Sequence, residues 1–421
     1  MERALSGIRV IQLANFVAAP AATRYLADRG ADVIIIEGVK GEPLRYSAVQ
    51  EGRPQDQLEN TTWEYLNGGK RCIALNLKDP AGKEAFMRLL DTADVLVTNW
   101  RQQALERAGL DYETLKVRYP RLVYGMCTGY GMEGPDKDLP GYDMTAFLAR
   151  GGYTHNLRRP GGPAMPMLAG LGDNNVGIAL AAAIITALYG AQRTGKGDLV
   201  SVSLYETAVF NMSIMLLAAQ YDGDARRYPI DAHEYPNPLN GSYTTSDDRI
   251  IQCCMPDYNP RFDHFCRVIG RADLADSGRY YPQMDMVARG TLAELVTELE
   301  KTFAAKTCAE WEEILRAGDI PYSRCYSWQE IVEDPQASAS GCFYDLECES
   351  GNKLKITRTP GVFASETETA VPRGPHIGEN GPEILRELGY SEAEIEALQK
   401  SGAMFVQTPE HAAEHRWEVV G

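Results

Sequence analysis

The chain has 421 residues, 44% of them hydrophobic and 24% charged, with a formal net charge of −16. That length exceeds one simple core and points to two domains, and the composition is that of a folded globular protein. The acidic balance repels nucleic-acid phosphates and anionic lipid, so no nucleic acid and no membrane is expected as a partner, while an anionic small ligand fits wherever basic residues cluster.

Nine cysteines, an odd number, show neither a disulfide framework nor zinc spacing. Cys253 and Cys254 adjoin in an expected strand, so their side chains point to opposite faces. Reduced thiols in a cytoplasmic protein are expected, with no metal. The opening Met-Glu-Arg-Ala-Leu-Ser-Gly has no apolar signal region. The longest apolar run, Val176–Ala191, falls short of the roughly 20 residues of a membrane span and reads as a buried helix.

In chain order, Ile8–Ala14 alternates and is β-branched, which predicts a strand. Pro20 suits the first turn of a following helix. Asp32–Glu37 is a continuous apolar run, as in a strand buried on both faces. The β-α alternation repeats through strands at Ile73–Asn76, Val95–Thr98 and Leu122–Cys127, with helices at Lys83–Thr92 and Gln103–Arg107. Such alternation predicts an α/β fold with a Rossmann-like open parallel sheet. A Gly/Pro-rich loop over 160–166 precedes a long Ala-rich helix at Asp173–Arg193, then a strand from Val200 and a helix near Glu206–Gln220. Tyr228–Asn240, with three prolines, reads as a linker. A hairpin at Ser242–Thr245 and Ile250–Met255, followed by three helices, predicts a smaller α+β domain. The expected domains are 1–225 (large), 226–325 (small) and 326–421, a return to the large domain.

The Gly-x-Gly-x-x-Gly match at Gly129, Gly131 and Gly134 follows a strand but leads into a proline-bounded loop. A dinucleotide site needs a helix there, and the first βαβ unit lacks the glycines, although Glu37 sits where a ribose-binding acid would. Basic residues fall near expected β-to-α junctions: Lys70 with Arg71, Arg101 with Arg107, and Lys137. They suit phosphate oxygens, or they are ordinary solvated charge.

Few residues rival a carboxylate as a nucleophile. No histidine precedes His155, and there is no Cys-x-x-Cys, His-Glu-x-x-His or Gly-x-Ser-x-Gly. Asp143, after the Pro140-Gly141 turn at the mouth of an apolar helical stretch, is the leading candidate. It caps its helix, acts as a nucleophile, or does both, since a helix N-terminus favours the anion. Asp173, after Gly170-Leu-Gly172, reads chiefly as a cap of the long helix, with lining the site as the alternative.

These segments together resemble CoA-transferase family III, the formyl-CoA/carnitine CoA-transferase family. The resemblance rests on Leu13–Pro20, Ala27–Glu37, Gly41–Arg45, Asn67–Arg71, Asn99–Arg101 with Gly109-Leu110, Thr128–Gly131 leading to Gly141-Tyr142-Asp143, and Pro375–Asn380 with Glu383–Tyr390. Glu59–Thr62, Asn99–Arg101 and Gly134–Gly152 are similar to the 2-hydroxyacid branch, which includes phenyllactate and 2-hydroxyisocaproate CoA-transferases.

The resemblance implies an interlocked, ring-like homodimer and no tightly bound cofactor, with coenzyme A and acyl-CoA as substrates beside a small carboxylic acid. It implies that Asp143 attacks the thioester, passing through a mixed anhydride and an aspartyl-CoA thioester. The matching CoA contacts are Phe16, Val17, Ala18, Arg71, Asn99, Trp100, Arg101, Arg107 and Lys137. Gly38 stands where many members carry Arg, and Lys40 is the substitute. Met255–Pro260 replaces a glycine-rich loop, which implies a differently shaped acyl pocket. Transfer to another carboxylate, a methylacyl-CoA racemase and a silent CoA-binding module are the alternatives. The racemase is disfavoured because Tyr142, not His, precedes Asp143.

Overall fold

A computed structural model describes residues 3–53, 55–165, 168–221, 228–365 and 370–418. They form a mixed α/β structure whose largest sheet has seven strands. Strands β1 (Arg9–Leu13), β2 (Asp32–Glu37), β3 (Arg71–Leu75), β4 (Val95–Thr98), β5 (Val123–Thr128) and β6 (Leu199–Ser203) run parallel in the order β3-β2-β1-β4-β5-β6. The segment Met404–Phe405 adds an antiparallel edge to β3. The order reverses at β1, which pairs with both β2 and β4, and that is where open α/β sheets bind ligands.

In chain order through residue 218 the helices are α1 (Ala18–Asp28), α2 (Thr61–Asn67), α3 (Pro80–Leu90), α4 (Gln102–Ala108), α5 (Tyr112–Arg118), the single turn α6 (Tyr153–Asn156), α7 (Leu171–Thr194), α8 (Leu204–Asn211) and α9 (Ser213–Ala218). Alternate strand residues feed opposite layers. Val10, Val33, Val95 and Val123 pack with Ala22 and Leu26 of α1 and Leu180 and Ile184 of α7. Ile11, Ile34, Ile73 and Leu96 pack with Phe86 and Leu89 of α3 and Leu115 of α5. Helix α7 is the expected apolar run, long enough for a membrane by length and composition alone, and its Val176, Leu180, Ile184 and Leu188 are buried in the first of these layers. It lies very close to α1: a Cβ on Gly177 would sit 2.6 Å from that of Ala21.

The amino ends of the strands are joined by charge. Asp32 accepts from Arg9 (2.9 Å) and from Arg71 (2.7 Å), and both arginines also reach Glu387.

The chain divides into two compact units. The first comprises Met1–Tyr153, Pro166–Tyr221 and Pro335–Gly421; the second comprises Thr154–Met165 and Asp222–Asp334. The boundary expected at 225 lies outside the described residues. The second unit contains an antiparallel sheet of β7 (Ser242–Thr244), β8 (Ile250–Cys253) and β9 (Tyr322–Arg324). Its core stacks Tyr243 on Phe303 at 4.6 Å, and Trp311 Nε1 donates to the Phe303 carbonyl at 2.8 Å. The expected hairpin is β7–β8, and β9 pairs with β8 as a third strand.

Candidate active site

The carboxyl ends of β1 and β4 are tied by one side chain. Asn99 Nδ2 donates to the Asn15 carbonyl at 2.7 Å, and its Oδ1 accepts from the Asn15 N–H at 3.0 Å. Phe16 follows with φ of 62°, a left-handed conformation that costs a non-glycine residue about 1 kcal/mol or more. Its N–H donates to Glu42 Oε1 at 2.5 Å, and Glu42 Oε2 accepts from the Leu44 N–H at 3.0 Å. Burial, and then the neighbouring Glu37 charge, push the Glu42 carboxyl up to about 7 against the opposing pull of its N–H partners.

Glu37 is not a free ribose ligand. It accepts two bonds from Arg45, both at 2.9 Å, one from the Glu42 N–H at 2.9 Å, and one from Cys72 Sγ at 2.8 Å. Its place at the end of β2 serves the fold.

A cavity of about 510 Å³ opens at this crevice. Phe16, Val17 and Ala18 line it from the loop that enters α1, whose first turn carries no side-chain cap. Uncapped N–H groups at a helix start suit an oxyanion. Asn99, Trp100, Arg101 and Arg107 line it from β4 and α4, and Lys137 and Tyr142 from the loop after β5. Arg101, Arg107 and Lys137 are exposed, and among the described residues none of their charged groups has an ion pair. Three unpaired cations at one mouth of an acidic chain are a local attraction for phosphate.

Two expected contacts lie elsewhere. Arg71 opens β3, so it sits at the amino end of the sheet, in the charge network with Asp32, Glu383 and Glu387. Lys70 and Arg71 occupy an α-to-β junction, not the β-to-α junction expected of them. Lys70 is buried, its Nζ donating to Gln12 Oε1 (2.8 Å), the Pro20 carbonyl (2.9 Å), Thr23 Oγ1 (2.9 Å) and Asn67 Oδ1 (3.0 Å). Lys40 is exposed in the turn after β2 and does not line the cavity.

The loop from Thr128 to Asp143 is closed by glycines. A Cβ on Gly129 would lie 2.7 Å from the Gly141 Cα, so the two ends of the loop touch backbone to backbone. These glycines therefore serve a loop crossing rather than a pyrophosphate. The crossing brings Tyr142 edge-on to Phe16, ring centres 5.9 Å apart.

Asp143 begins a seven-residue π-helical turn, Asp143–Ala149, but caps a different helix. Its own turn is closed by Thr145 Oγ1, which accepts from the Tyr142 N–H at 3.0 Å. Asp143 Oδ2 accepts from the Gly170 N–H at 2.6 Å and Oδ1 from the Gly172 N–H at 2.9 Å. Both oxygens thus close the start of α7, and the side chain is 6% exposed and absent from the cavity wall. Burial raises its carboxyl above the ordinary range, while the amides of Gly170, Gly172, Asp173 and Leu171 oppose that shift. Asp143, expected to attack the thioester, has both oxygens held by backbone amides in this structure.

Two carboxylates lie on the cavity wall, the exposed Asp138 and the half-buried Asp173, at the third position of α7. Among the described residues nothing donates a hydrogen bond to Asp173. Burial first, and then the nearby Asp143 charge, push it up to about 7. Tyr65 of α2 is also near, its hydroxyl bonded to Asn174, and its pKa is pushed upward by burial and then by the Asp173 charge. Sequence reasoning took Asp173 chiefly for a cap. The overlooked signal was the pair Gly170 and Gly172: Gly170 has φ of 86°, so the chain enters α7 through a glycine and leaves the capping to a remote carboxylate.

A cavity at the switch point of a parallel sheet, with three cations at its mouth and an unpartnered carboxylate on its wall, has the chemistry to suit an acyl group on a phosphate-bearing carrier. The profile of CoA-transferase family III matches residues 5–381. The chain belongs to that family. It is 45% identical over 402 residues to the cinnamoyl-CoA:phenyllactate CoA-transferase of Clostridium sporogenes, covering 96% of this chain and 97% of that one. It is 35% identical over 397 residues to the (R)-2-hydroxy-4-methylpentanoate CoA-transferase of Clostridioides difficile, covering 94% and 98%. The crystal structure of Rv3272 from Mycobacterium tuberculosis superposes with a TM-score of 0.79 at 28% identity, covering 91% of this chain and 99% of that one. The chain is therefore a CoA-transferase that acts on CoA thioesters.

Proposed function

We propose that the protein moves CoA from an acyl-CoA to a 2-hydroxy carboxylic acid with an aryl or branched aliphatic side chain, and that Asp173 is the attacking carboxylate. The observation that carries the second part is the placement of Asp173 on the cavity wall with no hydrogen-bond donor on its oxygens. An ionised carboxylate without donors retains its nucleophilicity. The two 2-hydroxyacid enzymes among the relatives support the first part.

In the first step an Asp173 oxygen attacks the thioester carbonyl, the C–S bond breaks, and CoA leaves as the thiolate. The product is a mixed anhydride between Asp173 and the acyl group. The thiolate then attacks the Asp173 carbonyl, expels the first carboxylate and forms an aspartyl-CoA thioester. The incoming carboxylate attacks that thioester and regenerates an anhydride and the thiolate. Attack of the thiolate on the new acyl carbon releases the new acyl-CoA and restores Asp173. One thioester replaces another, so the sequence requires neither ATP nor a metal. Arg101, Arg107 and Lys137 hold CoA phosphates, and the α1 start with Val17 and Ala18 faces developing negative charge.

A homodimer belongs to this reading. Its support is an apolar face on α8 and α9, where Phe210 is 78% and Ile214 77% exposed. Light scattering that returns the mass of one chain overturns it.

The decisive experiment incubates the protein with an acyl-CoA, traps the intermediate with hydroxylamine or borohydride, and maps the modified peptide. Modification is expected at Asp173 and absent in Asp173→Asn; modification elsewhere displaces Asp173 from its role. Acceptor screening tests the substrate class: use of formate, oxalate or carnitine alone, with no turnover of aryl-lactate or 2-hydroxyisocaproate, overturns it.

A further inference from the structure

Asp143 and Asp173 stand at the start of one helix, yet their surroundings are opposite. Asp143 faces the amides of Gly170, Leu171, Gly172 and Asp173, bonding Gly170 and Gly172 directly. An aspartate in the first turn of a helix ordinarily draws on those same amides and on the helix dipole. Here they are taken by a residue from another element. The backbone N–H of Asp173 itself points toward the Asp143 carboxylate.

Accepting Asp173 as the attacking group, we propose that Asp143 is a positioning residue for the transfer: it occupies the amides of α7 and so leaves Asp173 an unpartnered carboxylate beside a like charge. Capping and activation are then one arrangement. The anion that secures the helix denies its neighbour any donor, and the neighbour keeps its electron pairs for the acyl carbon.

The titratable groups that face Asp173 come from three elements. They are Asp143 on the π-helical turn, Tyr65 on α2 and Cys127 on β5. Burial holds Tyr65 neutral and pushes Cys127 up to about 12, so neither adds a further charge beside Asp173. Burial and Asp143 are the two influences on Asp173, and both favour its protonated form. Attack on a thioester needs the ionised form, so the rate rises as pH climbs through the Asp173 pKa.

The test follows the rate of adduct formation from an acyl-CoA against pH, with the adduct mapped by mass spectrometry. The wild-type protein is expected to show an acid limb near neutrality. In Asp143→Asn the like charge is gone, and the limb moves toward acid by about one pH unit, with the adduct still on Asp173. A wild-type limb in the ordinary carboxylate range, or a limb that does not move in Asp143→Asn, overturns the positioning role and leaves Asp173 as the nucleophile. An adduct on Asp143 in the wild-type protein overturns the nucleophile assignment itself. Circular dichroism establishes that the variant is folded; where it is not, the wild-type limb alone decides. A purely structural cap lowers activity at every pH and leaves the limb where it was.

Discussion

A Cβ on Gly172 would lie 2.4 Å from Asp143 Oδ1 and 2.2 Å from Phe147 Cγ. The carboxylate therefore reaches the helix start because that position has no side chain. Gly172→Ala is expected to expel Asp143 from its amides, destabilise the protein by about 1–3 kcal/mol, and suppress transfer. Thermal unfolding and steady-state rates check it; a fully active, equally stable variant contradicts the described contact.

Gly141 faces the same kind of constraint, since a Cβ there would meet the Gly129 Cα at 2.5 Å. The loop between them carries Lys137 and leads to Tyr142, both on the cavity wall. Gly141→Ala is expected to raise KM for acyl-CoA more than it lowers kcat, because it displaces binding groups and leaves Asp173 in place. A change confined to kcat speaks against this.

The cations divide into two groups with different roles. Arg107→Ala and Lys137→Ala are expected to raise KM for acyl-CoA about tenfold each, more at low ionic strength than at high, because salt screens the attraction they supply. Arg71→Gln is expected to leave KM unchanged and to cost about 1 kcal/mol of stability through its lost ion pairs. Kinetics at two salt concentrations with a urea melt separate the two groups. Acyl-CoA affinity that falls in Arg71→Gln moves that residue back to the binding site.

Glu42 predicts a pH dependence of stability. Its carboxyl is raised from 4.5 to about 7 in the folded chain, chiefly by burial. Between those values the folded state binds more protons than the unfolded state, so stability falls as pH rises through that window and is level on either side. Glu42→Gln is expected to remove this slope, a difference between variant and wild type of at most about 3 kcal/mol across the window. Urea melts at pH 4.5, 6 and 7.5 measure it. Parallel curves for the two proteins refute the assignment.

The parallel sheet was legible because a strand buried on both faces leaves an uninterrupted apolar run, as Val33–Ile36 does between Asp32 and Glu37. The seven-residue helices α2 and α5 were missed, since two turns display too little periodicity to register. The two-residue edge Met404–Phe405 has no alternation to read. At the site, the loop residues Phe16, Val17 and Ala18, named from the family resemblance as CoA contacts, line the cavity at the end of β1, beside the switch point. The helix that Asp143 caps was not legible, for a physical reason. Sequence spacing sees capping as local, whereas Asp143 binds amides 27 and 29 residues further on. Lys70 and Arg71 were misjudged because charge in a sequence does not say at which end of a strand it stands.

The belt of Arg9, Asp32, Arg71 and Glu387 gives the sheet two unlike rims. One rim is laced shut by alternating charges; the other ends in loops tied down at a few points. Drift in the loops can retune acceptor choice without disturbing strand alignment, because alignment is secured from the far side.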